Sequence, residues 1–408
     1  VRNVQDALHD ILQHFNPLSS ETVLLGASLG RTLAEAVYAQ NDLPLFDNSS
    51  MDGFAVRAED IQSVPVTLPL VMDIPAGVAP PQALGAGQAA RIMTGAAMPV
   101  GADAVVPVEQ TNANNDNPEL PTTVEIYQSH AAGAYVRPRG EDVQTGTHIF
   151  ESGHVLRPQD LGLLAGLGVS EVSVFQRPTV ALLSTGDELL LPHDPIVPGK
   201  IRDMNTYSLA AMIESLGAAV LPLGIARDTA QDVEDKLLSA VEQGANVIVS
   251  SAGVSVGTRD VVKAVLENLG AIGFWKVNMR PGKPLAFGHV QGVPFFGLPG
   301  NPVSSLASFE IFVRPSLLKL MGQFHAITTY DVVLGEDMTS DGRESYIRVV
   351  LRRENGRLTA YSTGTQSSGA LSSLVKADGL LIIPADVKQV QVGDILQVRP
   401  FAGQPILF

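Results

Sequence analysis

Val4, Leu8, Ile11, Leu12 and Phe15 recur at helical spacing, so the chain opens on an amphipathic helix. Leu24 to Val37 keeps a helical rhythm, interrupted near Gly30. From Pro44 to about Arg139 the texture changes. Short apolar runs such as Val64-Pro65-Val66-Thr67-Leu68 and Ala104-Val105-Val106-Pro107-Val108 alternate with Pro and Gly, which predicts a small all-β unit. The polar stretch from Asn112 to Pro121 reads as an exposed hairpin loop, and Arg157 to Gly168 as a helix ending on glycine.

Residues 175–321 have another rhythm. Strands are expected at Thr179 to Ser184, Ala219 to Leu223, Asn246 to Ser250, Ala271 to Val277 and Val293 to Gly297. Helices are expected at Asn205 to Leu216, Thr229 to Gln243, Thr258 to Leu269 and Pro302 to Met321, with Asn205 as a cap and Gly217 as a stop. Strands and helices alternating at this length predict a parallel, doubly wound sheet. After Thr328 the pattern turns β again, with a type I′ hairpin turn at Glu354-Asn355-Gly356-Arg357. The fold class is therefore α/β multidomain.

Composition narrows the function. The chain has 408 residues, room for two to four domains, and 27 Lys and Arg against 42 Asp and Glu. A net charge of −15 argues against general binding to nucleic acid or to an anionic membrane. Cys is absent and the 8 His are scattered, which excludes a thiolate zinc site, an iron–sulfur cluster and a Cys nucleophile. No apolar run reaches the length of a membrane span, and the first residues do not resemble a signal peptide, so a soluble cytoplasmic protein is expected.

In an open parallel sheet, ligands bind beyond the carboxyl ends of the strands. Four such ends here carry Ser184-Thr185-Gly186-Asp187-Glu188, Arg227-Asp228, the run Ser250 to Gly257 with Asp260 beyond it, and Gly297-Leu298-Pro299-Gly300-Asn301-Pro302. Any one of these loops would pass as ordinary turn and cap chemistry. Four at one edge favour a phosphate site, where small residues let backbone N–H groups approach an anion. Glu188, Asp228 and Asp260 are oxygen donors of the kind that hold Mg²⁺ together with substrate phosphate. Lys276, Arg280 and Lys283 lie around a Pro281-Gly282-Lys283-Pro284 frame able to hold a tetrahedral oxyanion with little reorganisation. Arg348 sits between Ile347 and Val349 on a predicted strand, so its side chain faces opposite to them, where a plain solvated face is a fair competing reading. Asp52 lies where a polar turn runs into a short strand, and Asp142 in a cluster of two cations and two acids; both read as turns with local charge pairing.

Six segments occur in a fixed order: Ser-Met-Asp-Gly-Phe-Ala-Val, Arg-Gly-Glu-Asp, Ser-Thr-Gly-Asp-Glu-Leu, Gly-Val-Ser-Val-Gly, Arg-Pro-Gly-Lys-Pro and Gly-Leu-Pro-Gly-Asn-Pro-Val-Ser. Read together, and over essentially the whole chain, they resemble the molybdopterin molybdenumtransferases, the MoeA and gephyrin E-domain family. The resemblance implies an elongated N-terminal region (1–43 and 139–174), an inserted β domain (44–138), a doubly wound, MogA-like α/β domain (175–322) and a C-terminal β-barrel-like domain (323–408). It implies a homodimer whose active site lies between subunits, working alongside other molybdenum-cofactor biosynthesis proteins.

The implied substrates are molybdate and adenylylated molybdopterin, converted with Mg²⁺ and release of AMP. Carried over by motif, Glu188 and Asp260 would hold the metal, with Asp228 close by. Ser250, Ser251, Gly253, Val254 and Ser255 would cradle the pterin or phosphates, and Ser184, Thr185, Gly186, Asp187, Lys276, Pro299 and Asn301 also bind substrate. Arg280, Lys283, Pro284, Arg348 and Ser368 would line the molybdate pocket, while Asp52, Thr94 and Asp142 would come from the partner subunit. Ala252 stands where the family has Gly, which suits only a backbone that does not need positive φ. Arg280 stands where Lys is common and replaces a point charge with a planar fork. A shorter molybdopterin adenylyltransferase would lack the flanking β segments. A non-catalytic scaffold would not need the three acids.

Overall fold

The computed structural model describes residues 1–113, 120–252, 261–269, 273–324 and 328–401. Asn3 caps the first helix, Val4–Leu12, by accepting the Gln5 N–H. Its buried face of Val4, Ala7 and Ile11, followed by Phe15, joins the core of the central α/β sheet. Lys319 donates to the Leu12 carbonyl at 2.8 Å and satisfies an open acceptor at the helix end.

The stretch from Leu24 to Val37 is not the expected helix. Ser20–Leu24 is a strand paired antiparallel with Glu171–Phe175, Leu25–Ala27 is one 3-10 turn, and Val37–Tyr38 pairs with His148–Phe150. Distant partners claim the backbone: Gly30 donates to the Leu156 carbonyl and Leu33 to that of His154. Leu33 is buried with Leu156, Leu164, Val172 and Val174. A few apolar residues at helical spacing cannot be told from an extended run covered on one side.

The inserted all-β unit forms as expected, a five-stranded sheet in the order Ala104–Pro107, Gly53–Val56, Ala89–Ile92, Val66–Ile74, Thr123–Ile126. Residues 114–119 of the expected hairpin loop lie outside the described residues. Gly53 has a steric reason. A Cβ there would stand 2.0 Å from the Val106 carbonyl oxygen, so only glycine permits the pairing of Gly53 with Pro107.

The central sheet runs Ala219–Ala226, Thr179–Thr185, Val247–Ser251, Val293–Leu298, Pro284–Val290, Gly273–Lys276. The first four strands are parallel. The last two pairings are antiparallel, so Pro284–Val290 runs against the other five strands, contrary to the expectation of a wholly parallel sheet. Pro284–Val290 is a strand the sequence pattern hid, because the Pro-Gly-Lys-Pro run before it reads as a turn. Separate apolar cores cover the two faces, as the doubly wound reading requires. The long helix after Pro302 is continuous but contains a π turn, Phe309–Val313.

The C-terminal strands close into a barrel. Glu344–Glu354 pairs with Arg357–Ser362, which pairs with Tyr330–Leu334, then Ile395–Pro400, then Gly379–Ile383, which returns to Glu344–Glu354. Asn355 and Gly356 have φ of 49° and 76°, the two positive values of a type I′ turn. Met279–Arg280 leaves the α/β domain and pairs in parallel with Glu344 and Ser345. The basic loop is thereby pinned to the barrel. Among the described residues no helix is long and apolar enough to cross a membrane.

Candidate active site

Arg348 is 1% exposed, not solvated as its strand position suggests. The segment after the hairpin folds over that face. Gln366 accepts the Arg348 N–H at 3.0 Å, and Thr363 donates to the Arg348 carbonyl at 3.0 Å. The guanidinium donates to Ser373 Oγ (3.1 Å) and to the carbonyls of Thr365 (3.2 Å) and Ser367 (3.0 Å). All three acceptors are neutral. Burial, followed by repulsion from Arg280, lowers its pKa to about 10. An ion withdrawn from water without a counter-charge costs on the order of several kcal/mol, so this group is suited to an anion supplied from outside.

The residues around Arg348 converge on the junction of barrel and α/β domain. The Ser368 carbonyl accepts the Val303 N–H at 3.1 Å, which fixes its loop at the start of the helix Pro302–Ser308. Gly282 rests on the same helix: a Cβ there would stand 2.6 Å from Ser308 Oγ. Arg280 is exposed, with Asp341 at 3.9 Å as its ion-pair partner, and Arg343 holds the Asp341 carboxyl below its usual range. Lys283 is exposed and its carbonyl accepts the Val277 N–H. Lys276 and Pro284 oppose each other across the antiparallel pair. Pro299 is buried, whereas Asn301 is exposed at the helix start.

The strand ends form a second cluster. Ser184 and Ser251 are cross-strand neighbours, and both are buried, as are Thr185 and Ser250. Asp187 and Asp228 accept each other's backbone N–H, at 3.3 and 3.4 Å, so two exposed carboxylates are held side by side. Glu188 folds back over Gly186, where a Cβ would meet its carboxyl oxygens at 2.5 and 2.8 Å. These are hard oxygen donors, which fits Mg²⁺ bound by one or two carboxylates and completed by substrate phosphate. Among the described residues no three metal-ligating side chains gather closely enough to hold an ion alone. Gly253, Val254, Ser255 and Asp260 lie outside the described residues. Ala252 has φ 78°, the left-handed conformation its residue type disfavours.

Sequence reasoning missed the residues at the start of the helix Asn205–Ser215. Asn205 does not cap the helix. Its Nδ2 donates to Ser251 Oγ at 2.6 Å and to the Gly300 carbonyl at 2.8 Å, and so ties two strand-end loops together. Thr206 Oγ1 donates to the buried Asp203 at 2.6 Å and lies 2.6 Å from Ser184 Oγ. The signal was the polar run Asp203, Asn205, Thr206 beside a strand end, read as capping alone.

Asp52, Thr94 and Asp142 form no described hydrogen bond or ion pair with either cluster within one chain. Asp52 Oδ1 accepts both the N–H (2.6 Å) and the hydroxyl (2.7 Å) of Thr94, which holds the Asp52 carboxyl below its ordinary range. Asp142 is exposed, its N–H bonded to the Leu43 carbonyl.

The chain is similar to known proteins over nearly its whole length. Three family models match in succession: the MoeA N-terminal region (domain I and II) over residues 2–168, a probable molybdopterin binding domain over 181–319, and the MoeA C-terminal region (domain IV) over 331–401. Molybdopterin molybdenumtransferase 2 of Mycobacterium tuberculosis is 40% identical, covering 98% of this chain and 99% of its own. The molybdopterin molybdenumtransferase of Haemophilus influenzae is 36% identical over 94% of this chain and 95% of its own. Two crystal structures of a molybdopterin biosynthesis MoeA protein from Pyrococcus horikoshii superpose with TM-scores of 0.83 and 0.81 at 33% and 27% identity, each over 98% of this chain and 99% and 100% of theirs. With its motifs in order, its α/β core and its closed C-terminal barrel, the chain belongs to the MoeA family of molybdopterin molybdenumtransferases.

Proposed function

We propose that the chain inserts molybdenum into molybdopterin, taking molybdate and adenylylated molybdopterin and releasing AMP. An oxygen nucleophile, from molybdate or water, attacks the adenylyl phosphorus. The bond to the molybdopterin phosphate breaks and the attacking oxygen stays on the adenylyl phosphorus: if it is water's, AMP leaves directly; if it is molybdate's, AMP leaves when the dithiolene sulfurs displace it at molybdenum. As the Mo–S bonds form, Mo–O bonds break and the oxygen departs in AMP or as water. The observation that carries this reading is Arg348, a buried guanidinium whose described partners are all neutral. With Arg280, Lys283, Pro284 and Ser368 it would hold molybdate near the dithiolene, supplying proximity and charge neutralisation.

Ser184, Thr185, Gly186, Asp187, Ser250, Ser251, Gly253, Val254, Ser255, Lys276, Pro299 and Asn301 would bind the adenylylated substrate. Glu188 and Asp260 would hold Mg²⁺, with Asp228 beside them; the ion, when bound, polarises phosphoryl oxygens. Asp52, Thr94 and Asp142, separate from both clusters within one chain, fit a homodimer in which they complete the partner's site. The working units in this reading are 1–43 with 139–174, 44–138, 175–322 and 323–408, in a cytoplasmic enzyme that works with other cofactor-biosynthesis proteins.

The test is AMP release from adenylylated molybdopterin with Mg²⁺, with and without molybdate. Release that requires molybdate and collapses in Glu188→Gln and Asp260→Ala supports both the transferase and the metal site. No release from protein that still binds the adenylate would leave a scaffold or carrier. Light scattering tests the dimer: a clean monomer at micromolar concentration undoes the shared site.

A further inference from the structure

Asn205 is 8% exposed, and among the described residues its Oδ1 has no hydrogen-bond partner. The orientation of the amide is fixed, because Gly300 offers a carbonyl and only Nδ2 can face it. A buried acceptor is thus left open at the strand ends, an arrangement that costs about 1–3 kcal/mol when nothing fills it. Such a group marks a place where something else donates.

Ser184 presents a second acceptor. The Thr206 hydroxyl has a single proton, and the Asp203 carboxylate takes it at 2.6 Å. Ser184 must therefore donate its own proton to Thr206 Oγ1, also at 2.6 Å. No proton is left on Ser184 for a phosphate, and its remaining lone pairs can only accept. Ser251, opposite Ser184 in the sheet, is the complement. Its oxygen accepts from Asn205, which leaves its hydroxyl proton free to donate.

Two acceptors and one donor side by side do not suit a phosphate, which has acceptors only. They suit the amino-lactam edge of a pterin, whose 2-amino and N3 hydrogens are donors beside the 4-carbonyl acceptor. We propose that Asn205, Ser184 and Ser251 read this edge and so select a pterin at the ends of strands Thr179–Thr185 and Val247–Ser251. The proposal rests on the transferase reading above and assigns part of that site. It narrows Ser251, expected at the pterin or the phosphates, and Ser184, expected only to bind substrate, to recognition of the pterin edge.

The test uses full-length protein and two small competitors of molybdate-dependent AMP release. These are 6-hydroxymethylpterin and 6-hydroxymethyllumazine, in which a carbonyl replaces the 2-amino group. A site built around N–H donors should favour the pterin by about tenfold or more. Asn205→Ala should bring the ratio to about one, raising KM for the adenylate more than it lowers kcat. Ser184→Ala, which leaves the Thr206–Asp203 bond intact, should also shrink the ratio and serves if Asn205→Ala does not fold. Equal inhibition by the two competitors, no inhibition by either, or an unchanged ratio in the variants would overturn the proposal. Wild-type protein that releases no AMP fails the transferase reading instead; the same two competitors are then titrated by calorimetry, and their affinity ratio decides.

Discussion

Arg348 donates from Nε to Ser373 Oγ at 3.1 Å, and both side chains are buried. Ser373 in turn donates to the Ala370 carbonyl, so the hydroxyl is aligned as an acceptor toward the guanidinium. This bond orients the cation without neutralising it, as the proposed anion site requires.

Arg348→Met should therefore separate function from stability. Removing a donor aimed at reacting charge typically lowers turnover by about 10²–10³. Removing the buried ion recovers its desolvation cost, while Ser373 Oγ and the Thr365 and Ser367 carbonyls lose their donor at about 1–3 kcal/mol per unsatisfied group, so the two effects on stability oppose. The expected outcome is AMP release reduced by two orders of magnitude or more, with a Tm close to that of wild type. A parallel loss of Tm and activity would show that Arg348 serves the barrel alone.

Ala252 offers the opposite kind of test. At φ 78° an alanine carries a strain of about 1–2 kcal/mol that glycine does not. Glycine also loses more chain entropy on folding, by about 0.5–1 kcal/mol, so the two effects oppose. Ala252→Gly should raise stability by a net of about 0.5–1 kcal/mol, measured as a shift in urea midpoint at constant slope. A drop in stability would mean that the strain is relieved by a neighbouring contact.

Much of this was legible in the sequence, and the misses have physical causes. The strand-to-glycine turns at Ser184–Gly186 and Gly297–Gly300 announced the strand ends, and the Asn355-Gly356 turn announced its hairpin. Burial of Arg348 was not legible, because alternation along a strand says which face a residue takes but not what covers it. The fold of residues 363–373 back onto that face covers it. Asn205 was visible as a polar residue at a helix start, where capping is the usual reason. Its bonds to Ser251 and Gly300, 46 and 95 residues away, depend on the sheet being assembled.

The Asp52–Thr94 pair predicts a pH dependence. Hydrogen bonds from Thr94 favour the carboxylate, so the folded pKa lies below the ordinary value of about 3.9. A group of this sign contributes fully above its unfolded pKa, and the contribution is lost as pH falls through the folded value. Tm followed from about pH 6 to about pH 2.5 should fall less steeply over the acid limb in Asp52→Asn than in wild type. Coincident slopes would show that the pair does not stabilise the inserted domain.

Gly53→Ala should act on the same domain by a steric route. The new methyl carbon would overlap the Val106 carbonyl oxygen, which is backbone and cannot rotate away. Gly53 pairs with Ile92 on one side and Pro107 on the other, so the clash falls in the middle of the sheet. Overpacking of this severity costs about 3 kcal/mol or more. It also displaces Asp52, the next residue, away from Thr94. Hydrogen exchange should accelerate at 53–56, 89–92 and 104–107, while the strands 179–185 and 247–251 stay protected. AMP release should fall although the adenylate still binds, because the α/β clusters are intact and only Asp52 and Thr94, proposed above to serve the partner subunit, have moved. Loss of protection across both domains together would show that they unfold as one unit, and the separation of Asp52 from the strand-end site would then carry no functional meaning.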